Sequence, residues 1–159
     1  AEGLWGASPR VLLVPGSRSP EKRFAPTTFV AAGRFAVSRG GSVVVVGGPE
    51  ERGLVGQVAS EVGTGAQPYT GRSLGPLVHL ARTADAVVTN DTGPMHLAFL
   101  SGTATVAIFT TMGAPCWGPM DPADPRFVAL TVPPGAADTV APVVERLVLE
   151  RLRHHLDRK

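Results

Sequence analysis

The run Asn90-Asp91-Thr92-Gly93-Pro94-Met95-His96 gathers a carboxylate, a hydroxyl and an imidazole around one glycine. The residues before it, Ala86-Val87-Val88-Thr89, are apolar or β-branched, and those after it follow a helical pattern with Pro94 near the first turn. That order reads as a strand, a sharp turn and a helix start. Unpaired backbone N–H groups and the helix dipole make such a start an anion site. A phosphate-bearing ligand is its natural occupant. Asp91 would orient donors or cap the helix, Thr92 and the N–H groups from Gly93 onward would hold phosphate, and His96 would add a donor. A histidine beside an apolar helix is as readily a structural residue, and the residues alone leave both roles open.

Two further turns carry chemistry. Pro15-Gly16-Ser17-Arg18-Ser19-Pro20-Glu21-Lys22-Arg23-Phe24 combines a glycine with two serines and three cations. Flexible backbone and an ammonium at Lys22 suit a diphosphate, because one charge can serve two oxygens. The alternative is a solvated loop. The Gly-Lys-Ser/Thr order of a Walker A loop is absent. Gly47-Gly48-Pro49-Glu50-Glu51 lets a ligand approach the backbone closely and sets a carboxylate just past a strand, where ribose hydroxyls are often bound. Glu50 and Glu51 equally suit the first turn of a helix.

These turns need elements to position them. Short strands are expected at Val11–Val14, Ser42–Val46, Gln67–Thr70, Ala86–Thr89, Thr103–Phe109 and Phe127–Val132. Helices are expected over Pro26–Ser38, stopped by Gly40-Gly41, then over Pro49–Val62 and from an N-cap at Ser73 with Leu74, Leu77, Val78 and Ala81 on one face. Two more follow at Pro94–Leu100 and Asp138–Leu156, the last with Val140, Val143, Val144, Leu147, Val148 and Leu152 inward. Residues 1–10 read as a linker and 110–126 as a loop rich in Pro and Gly. Continuously apolar strands alternating with helices imply one doubly wound α/β domain over residues 11–159, with a mostly parallel sheet covered on both faces. Ligands then bind at the carboxyl ends of the strands, where strand order reverses.

Composition narrows the function classes. With 159 residues, 43% hydrophobic and 18% charged, the chain suits a single domain with one core. A net charge of +2 without a basic patch interleaved with aromatics speaks against nucleic acid. The lone Cys116 forms no intrachain disulfide, which fits a reducing compartment. The longest apolar runs are strand length, far short of a membrane span. The start, Ala1-Glu2-Gly3-Leu4-Trp5-Gly6, lacks the basic and apolar pattern of a signal peptide. It also lacks an initiator methionine, as a processed product or a fragment would. No Cys/His set has zinc spacing and no G-x-S-x-G occurs, so no metal site or serine nucleophile is expected. His79 and the basic C-terminal run with His154-His155 read as structural or solvated, with at most peripheral attraction to an acidic membrane surface.

Taken in order, the Pro15-Gly16-Ser17 turn with Lys22-Arg23-Phe24, the Gly47-Gly48-Pro49-Glu50 turn and Asn90 through Ala98 resemble bacterial heptosyltransferases, glycosyltransferase family 9. Gly71-Arg72-Ser73-Leu74, Gly102 through Phe109 and Trp117-Gly118-Pro119 extend the likeness over about residues 11–120. The resemblance implies the second, nucleotide-sugar-binding half of a GT-B enzyme with two Rossmann-like domains. It implies an ADP-heptose-like donor, with Ser17 and Lys22 at the phosphates, Glu50 at the ribose and Arg72 at the base through its backbone. Asp91, Thr92, Gly93, Pro94, Met95 and His96 would surround the sugar and diphosphate, with Lys22 and His96 as the catalytic pair. Transfer would invert the anomeric centre with neither metal nor cofactor. The base that takes the acceptor proton would belong to an N-terminal acceptor domain, supplied in cis or in trans, without which this half is inactive. A cytoplasmic place, peripheral at most to the inner face of the membrane, and a role in lipopolysaccharide biosynthesis go with that family. Where the family often reads Phe-Gly-Pro-Thr, this chain has Phe109-Thr110-Thr111-Met112, and Arg18 and Glu21 are unusual, so a different donor is open. Two other readings are a non-catalytic nucleotide-sugar-binding module and a nucleotide-sugar epimerase-like domain.

Overall fold

Six strands form one parallel sheet in the order β3-β2-β1-β4-β5-β6. They are β1 Arg10–Val14, β2 Ser42–Gly47, β3 Ala66–Thr70, β4 Ala86–Asn90, β5 Thr105–Phe109 and β6 Phe127–Thr131. The helices are α1 Pro26–Ser38, α2 Arg52–Val62, α3 Leu74–Thr83, α4 Gly93–Leu100 and α5 Ala137–Asp157. A computed structural model describes residues 3–111, 121 and 123–158. Cys116, Trp117-Gly118-Pro119 and most of the 110–126 loop lie outside the described residues.

The strands are apolar on both sides because both sides are covered. Alternate residues of the inner strands divide between two cores. Val11, Leu13, Val43, Val45, Val88, Val106 and Ile108 meet α1, α2 and α5. Leu12, Val14, Val44, Val46 and Val87 meet the side held by α3 and α4. A two-residue period with both faces apolar is the signature of a buried parallel sheet. β3 is the exception that its position permits. It pairs only with β2, so Pro68, which donates no hydrogen bond, sits in it without breaking a second ladder.

Local signals set the helix bounds. α1 opens on Pro26 and closes where Gly40 adopts φ +78°, with Gly40 N–H donating to Val37 and Gly41 N–H to Ala36. That is a Schellman close, which needs the left-handed residue that glycine supplies. The helix expected over Pro49–Val62 is two pieces, a 3₁₀ turn at Pro49–Glu51 and then α2. Of the stretch read as a linker, residues 4–9 lie against the domain. Leu4 and Trp5 pack on the core under α3, and Trp5 Nε1 donates to Thr83 Oγ1 at 2.8 Å.

α5 corrects the sequence-based inward face. Val144, Val148 and Leu152 are buried, whereas Val143 is exposed and Leu147 half-buried. The helix carries more apolar residues than one stripe can hold, and its packing on α1 chooses the row spaced by four. His155, three residues past Leu152, falls on the same face and is buried rather than part of a solvated tail. No buried partner meets its Nε2, and burial, with His154, Arg151 and Arg158 nearby, pushes its pKa down to about 4. Elsewhere on this helix Arg39, from the end of α1, pairs with Asp157. Among the described residues no helix is long and apolar enough to cross a membrane.

The lowered pKa of His155 has a sign. Above about pH 6.5 the imidazole is neutral in both folded and unfolded chains, so stability is unaffected there. Between that value and about 4 the unfolded chain binds a proton that the folded chain refuses, so stability falls as pH falls. The loss approaches about 3 kcal/mol at the acid end. Urea unfolding across this range should show it, and His155→Leu should flatten the slope. An unchanged slope in that variant would assign the acid sensitivity to other groups.

Candidate functional site

Because every strand runs the same way, their carboxyl ends share one edge, and the turns after β1, β2 and β4 emerge side by side. They enclose a cavity of about 1070 Å³. Its lining includes Ser17, Arg18, Lys22 and Arg23 from the first turn, Gly48, Glu50 and Glu51 from the second, and Asp91, Thr92, Gly93 and Pro94 from the third. Arg72, Ser73, Leu74, Leu77 and Tyr69 wall the side toward β3. The cavity lies at the strand-order reversal, since β1 is flanked by β2 and β4.

The first and third turns meet in an ion pair. Lys22 Nζ lies 2.8 Å from Asp91 Oδ2, with the lysine side chain 31% exposed and the carboxylate 4%. The contact lacks hydrogen-bond alignment, so Oδ2 has charge compensation but no directed donor. Asp91 also stands just before α4, where the dipole favours a negative group. The helix start offers fewer donors than its type suggests. Pro94 has no N–H, and Met95 N–H donates to Thr92 C=O at 3.1 Å. Thr92 is the N-cap residue yet makes no capping bond through its hydroxyl. Ser17 is buried, and its C=O accepts from Arg23 Nε at 2.8 Å, which curls the first turn on itself.

The second turn presents two unlike carboxylates. Glu50 is well exposed at the rim and pairs with Arg72 at 3.0 Å. Glu51 is mostly buried, and its Oε2 accepts from Gly48 N–H at 2.8 Å. Its Oε1 has no hydrogen-bond partner and lies 3.8 Å from Arg23 Nη2. A Cβ at Gly16 would stand 2.1 Å from that oxygen, so glycine is what lets the first turn close over Glu51. Sequence reasoning passed over Glu51 as a helix-start residue. The available signal was its place three residues after Gly48, where a glutamate reaches back to the cap N–H.

Ser17, Lys22, Glu50, Arg72, Asp91, Thr92, Gly93 and Pro94 are thus brought together, and Met95 and His96 are not. The Met95 side chain is fully buried against Ala107 and Phe109. The half-buried His96 ring stands edge-on to Phe99, with centroids 6.3 Å apart. Both follow from helix geometry, since a residue's side chain leaves the axis at 100° from its neighbour's and only part of the first turn can face the cavity. Leu74, expected on the buried face of α3, is 65% exposed and lines the cavity instead.

A parallel sheet in this order with a cavity bordered by charged side chains at its switch point defines a Rossmann-like α/β domain of the kind found in GT-B glycosyltransferases. The family model for glycosyltransferase family 9 (heptosyltransferase) matches residues 3–135, and the chain belongs to that family. Its fold is similar to that of E. coli ADP-heptose lps heptosyltransferase II, at a TM-score of 0.72 and 22% identity over 94% of this chain and 47% of that one. A family 9 glycosyl transferase from Veillonella parvula gives 0.68 and 22% over 94% and 46%. E. coli heptosyltransferase WaaC with ADP gives 0.66 and 16% over 90% and 44%. The chain therefore spans about half the length of these structures. No curated protein sequence matches it.

The ion pair between the turns has a measurable consequence. Lys22→Ala leaves a buried carboxylate without its cation, and Asp91→Asn removes the charge that the cation serves. Each change should destabilise the fold, and in the double variant the losses should fall short of their sum by about 1 kcal/mol, between the exposed and buried limits for such pairs. A double-mutant cycle by urea unfolding measures that coupling, and strictly additive losses would show that the contact contributes nothing.

Proposed function

We propose that this chain binds the nucleoside diphosphate sugar of a glycosyltransferase, as the donor half of a two-domain enzyme. The observation that carries this reading is the convergence of three turns, with Lys22 between the first and third, on one cavity at the switch point. Four basic side chains, Arg18, Lys22, Arg23 and Arg72, face three carboxylates there, Glu50, Glu51 and Asp91. The cavity also has an apolar wall at Leu74, Leu77 and Tyr69, which suits a planar base, beside the carboxylates of the second turn, which suit a ribose diol.

In this reading Lys22 and Ser17 hold the diphosphate, Glu50 accepts from the ribose hydroxyls, and Arg72 frames the base. Thr92, Gly93 and Pro94 border the sugar. The acceptor oxygen forms a bond to the anomeric carbon as the bond from that carbon to the diphosphate oxygen breaks on the opposite face, inverting the centre. The electron pair leaves with the nucleoside diphosphate, where Lys22 meets the developing charge. The acceptor proton passes to a base outside this chain. Met95 and His96 stand one helical face away, so their part is to shape the wall behind the sugar rather than to move a proton. WaaC, whose fold is similar, has been described with ADP and with ADP-2-deoxy-2-fluoro heptose, which supports ADP as the first probe.

Calorimetry tests the reading directly. The chain should bind ADP more tightly than AMP, because Lys22 serves the second phosphate. Lys22→Ala should weaken ADP by about tenfold or more, the size of one charge-assisted hydrogen bond, and AMP far less. An absence of binding to ADP, UDP and their sugar conjugates would overturn the proposal.

A further inference from the structure

Asn90 ends β4 with no exposed surface and is absent from the cavity lining, yet it ties down both ends of the turn that carries Lys22. Its Nδ2 donates to Pro15 C=O at 2.8 Å, and its Oδ1 accepts from Phe24 N–H at 3.1 Å. Pro15 and Phe24 bracket the ten-residue stretch holding Ser17, Arg18 and Lys22. Both bonds are fully buried and cross the strand-order reversal between β1 and β4. The backbone around Asn90 is held as well, since Thr89 Oγ1 donates to its C=O at 2.8 Å. Between the two ends only one other side chain takes hold of the turn's backbone among the described residues outside it, Thr110 on the Glu21 C=O.

A carboxamide suits this place for a chemical reason. One end of the turn presents an acceptor and the other a donor, so the clamp must be a donor and an acceptor on one short rigid plane. An aspartate would set a second acceptor against the Pro15 C=O. An apolar residue would leave two buried backbone groups unpaired. The next residue, Asp91, holds the Lys22 ammonium, so the clamp and the ion pair leave β4 together.

We infer that Asn90 is a positioning residue, whose carboxamide sets where the Lys22 turn stands relative to the start of α4 and so shapes the subsite for the second phosphate. This rests on the proposed nucleoside diphosphate site and adds to it a residue that touches no ligand. A loosened turn still leaves the ribose and base side of the cavity intact, because Glu50, Arg72 and Leu74 belong to other segments.

The test compares ADP with AMP in the parent chain, Asn90→Ala and Asn90→Asp, with thermal unfolding recorded beside each titration. The preference for ADP over AMP should fall by about tenfold in Asn90→Ala, while AMP affinity stays within about twofold of the parent's. Asn90→Asp should lose the preference at about pH 8 and regain part of it at about pH 5, where the carboxyl group begins to take the proton that restores a donor to Pro15. The parent measured at the same two values corrects for titration of the phosphate. Equal loss of ADP and AMP in both variants, an unchanged preference in both, or failure of both to fold at the measuring temperature would each overturn the inference and leave the donor site standing. A parent chain that binds neither nucleotide would instead bring down the donor site, and this inference with it.

Discussion

The parallel pairing of β1 with both β2 and β4 is the constraint on which the rest depends. β1 is central, so its residues must be apolar on both faces, and Val11 through Val14 are nearly or wholly without exposed surface. A parallel neighbour on each side sends the chain out at one edge every time and brings it back through a helix. The reversal of winding at β1 opens a gap between the helices that follow β1 and β4. No side chain is needed to make that gap. Side chains only decide what it holds.

What it holds is charge kept close to balance. Asp91 takes the favourable place before α4 that an anionic ligand would otherwise want, and Lys22 answers it. A phosphate arriving there meets an ammonium already in place and a carboxylate behind it. The carboxylate keeps the lysine aimed, and it also sets a limit on how strongly an anion can be held. Glu51 plays a comparable part on the other flank, where its carboxylate fastens Gly48 and lies against Gly16. Both are carboxylates with little access to water beside the cavity. That arrangement orders the turns around the cavity.

Much of the fold was legible because the signals were local. α1 was bounded by Pro26 at its start and by Gly40-Gly41 at its end, and both ends fall where expected. The strands were legible from runs of valine that no helix period explains. The errors lie where two local rules agree but space allows only one. Val143 and Val144 both satisfy a helical stripe, and packing on α1 took Val144. Leu74 fits the apolar row of α3, but the first turn of that helix overhangs the cavity, so the side chain meets the site and not the core. His155 looked like part of a basic tail because its neighbours are charged, whereas its place one helical turn past Leu152 carried it inside.

The amino-acid order by itself determined which segments would be strands and helices, that the strands would be buried on both faces, and that three turns would carry glycine beside charge. Those properties depend on neighbours within one or two turns of chain, where steric preference and periodicity act. Only the tertiary structure decided which charges meet and which carboxylate of Glu50 and Glu51 is buried. It also decided that Met95 and His96 stand outside the cavity lining, and that one buried amide at Asn90 joins positions 66 and 75 residues distant. Contacts of that span are set by how helices and strands pack around a shared edge, and no local pattern in the chain encodes them.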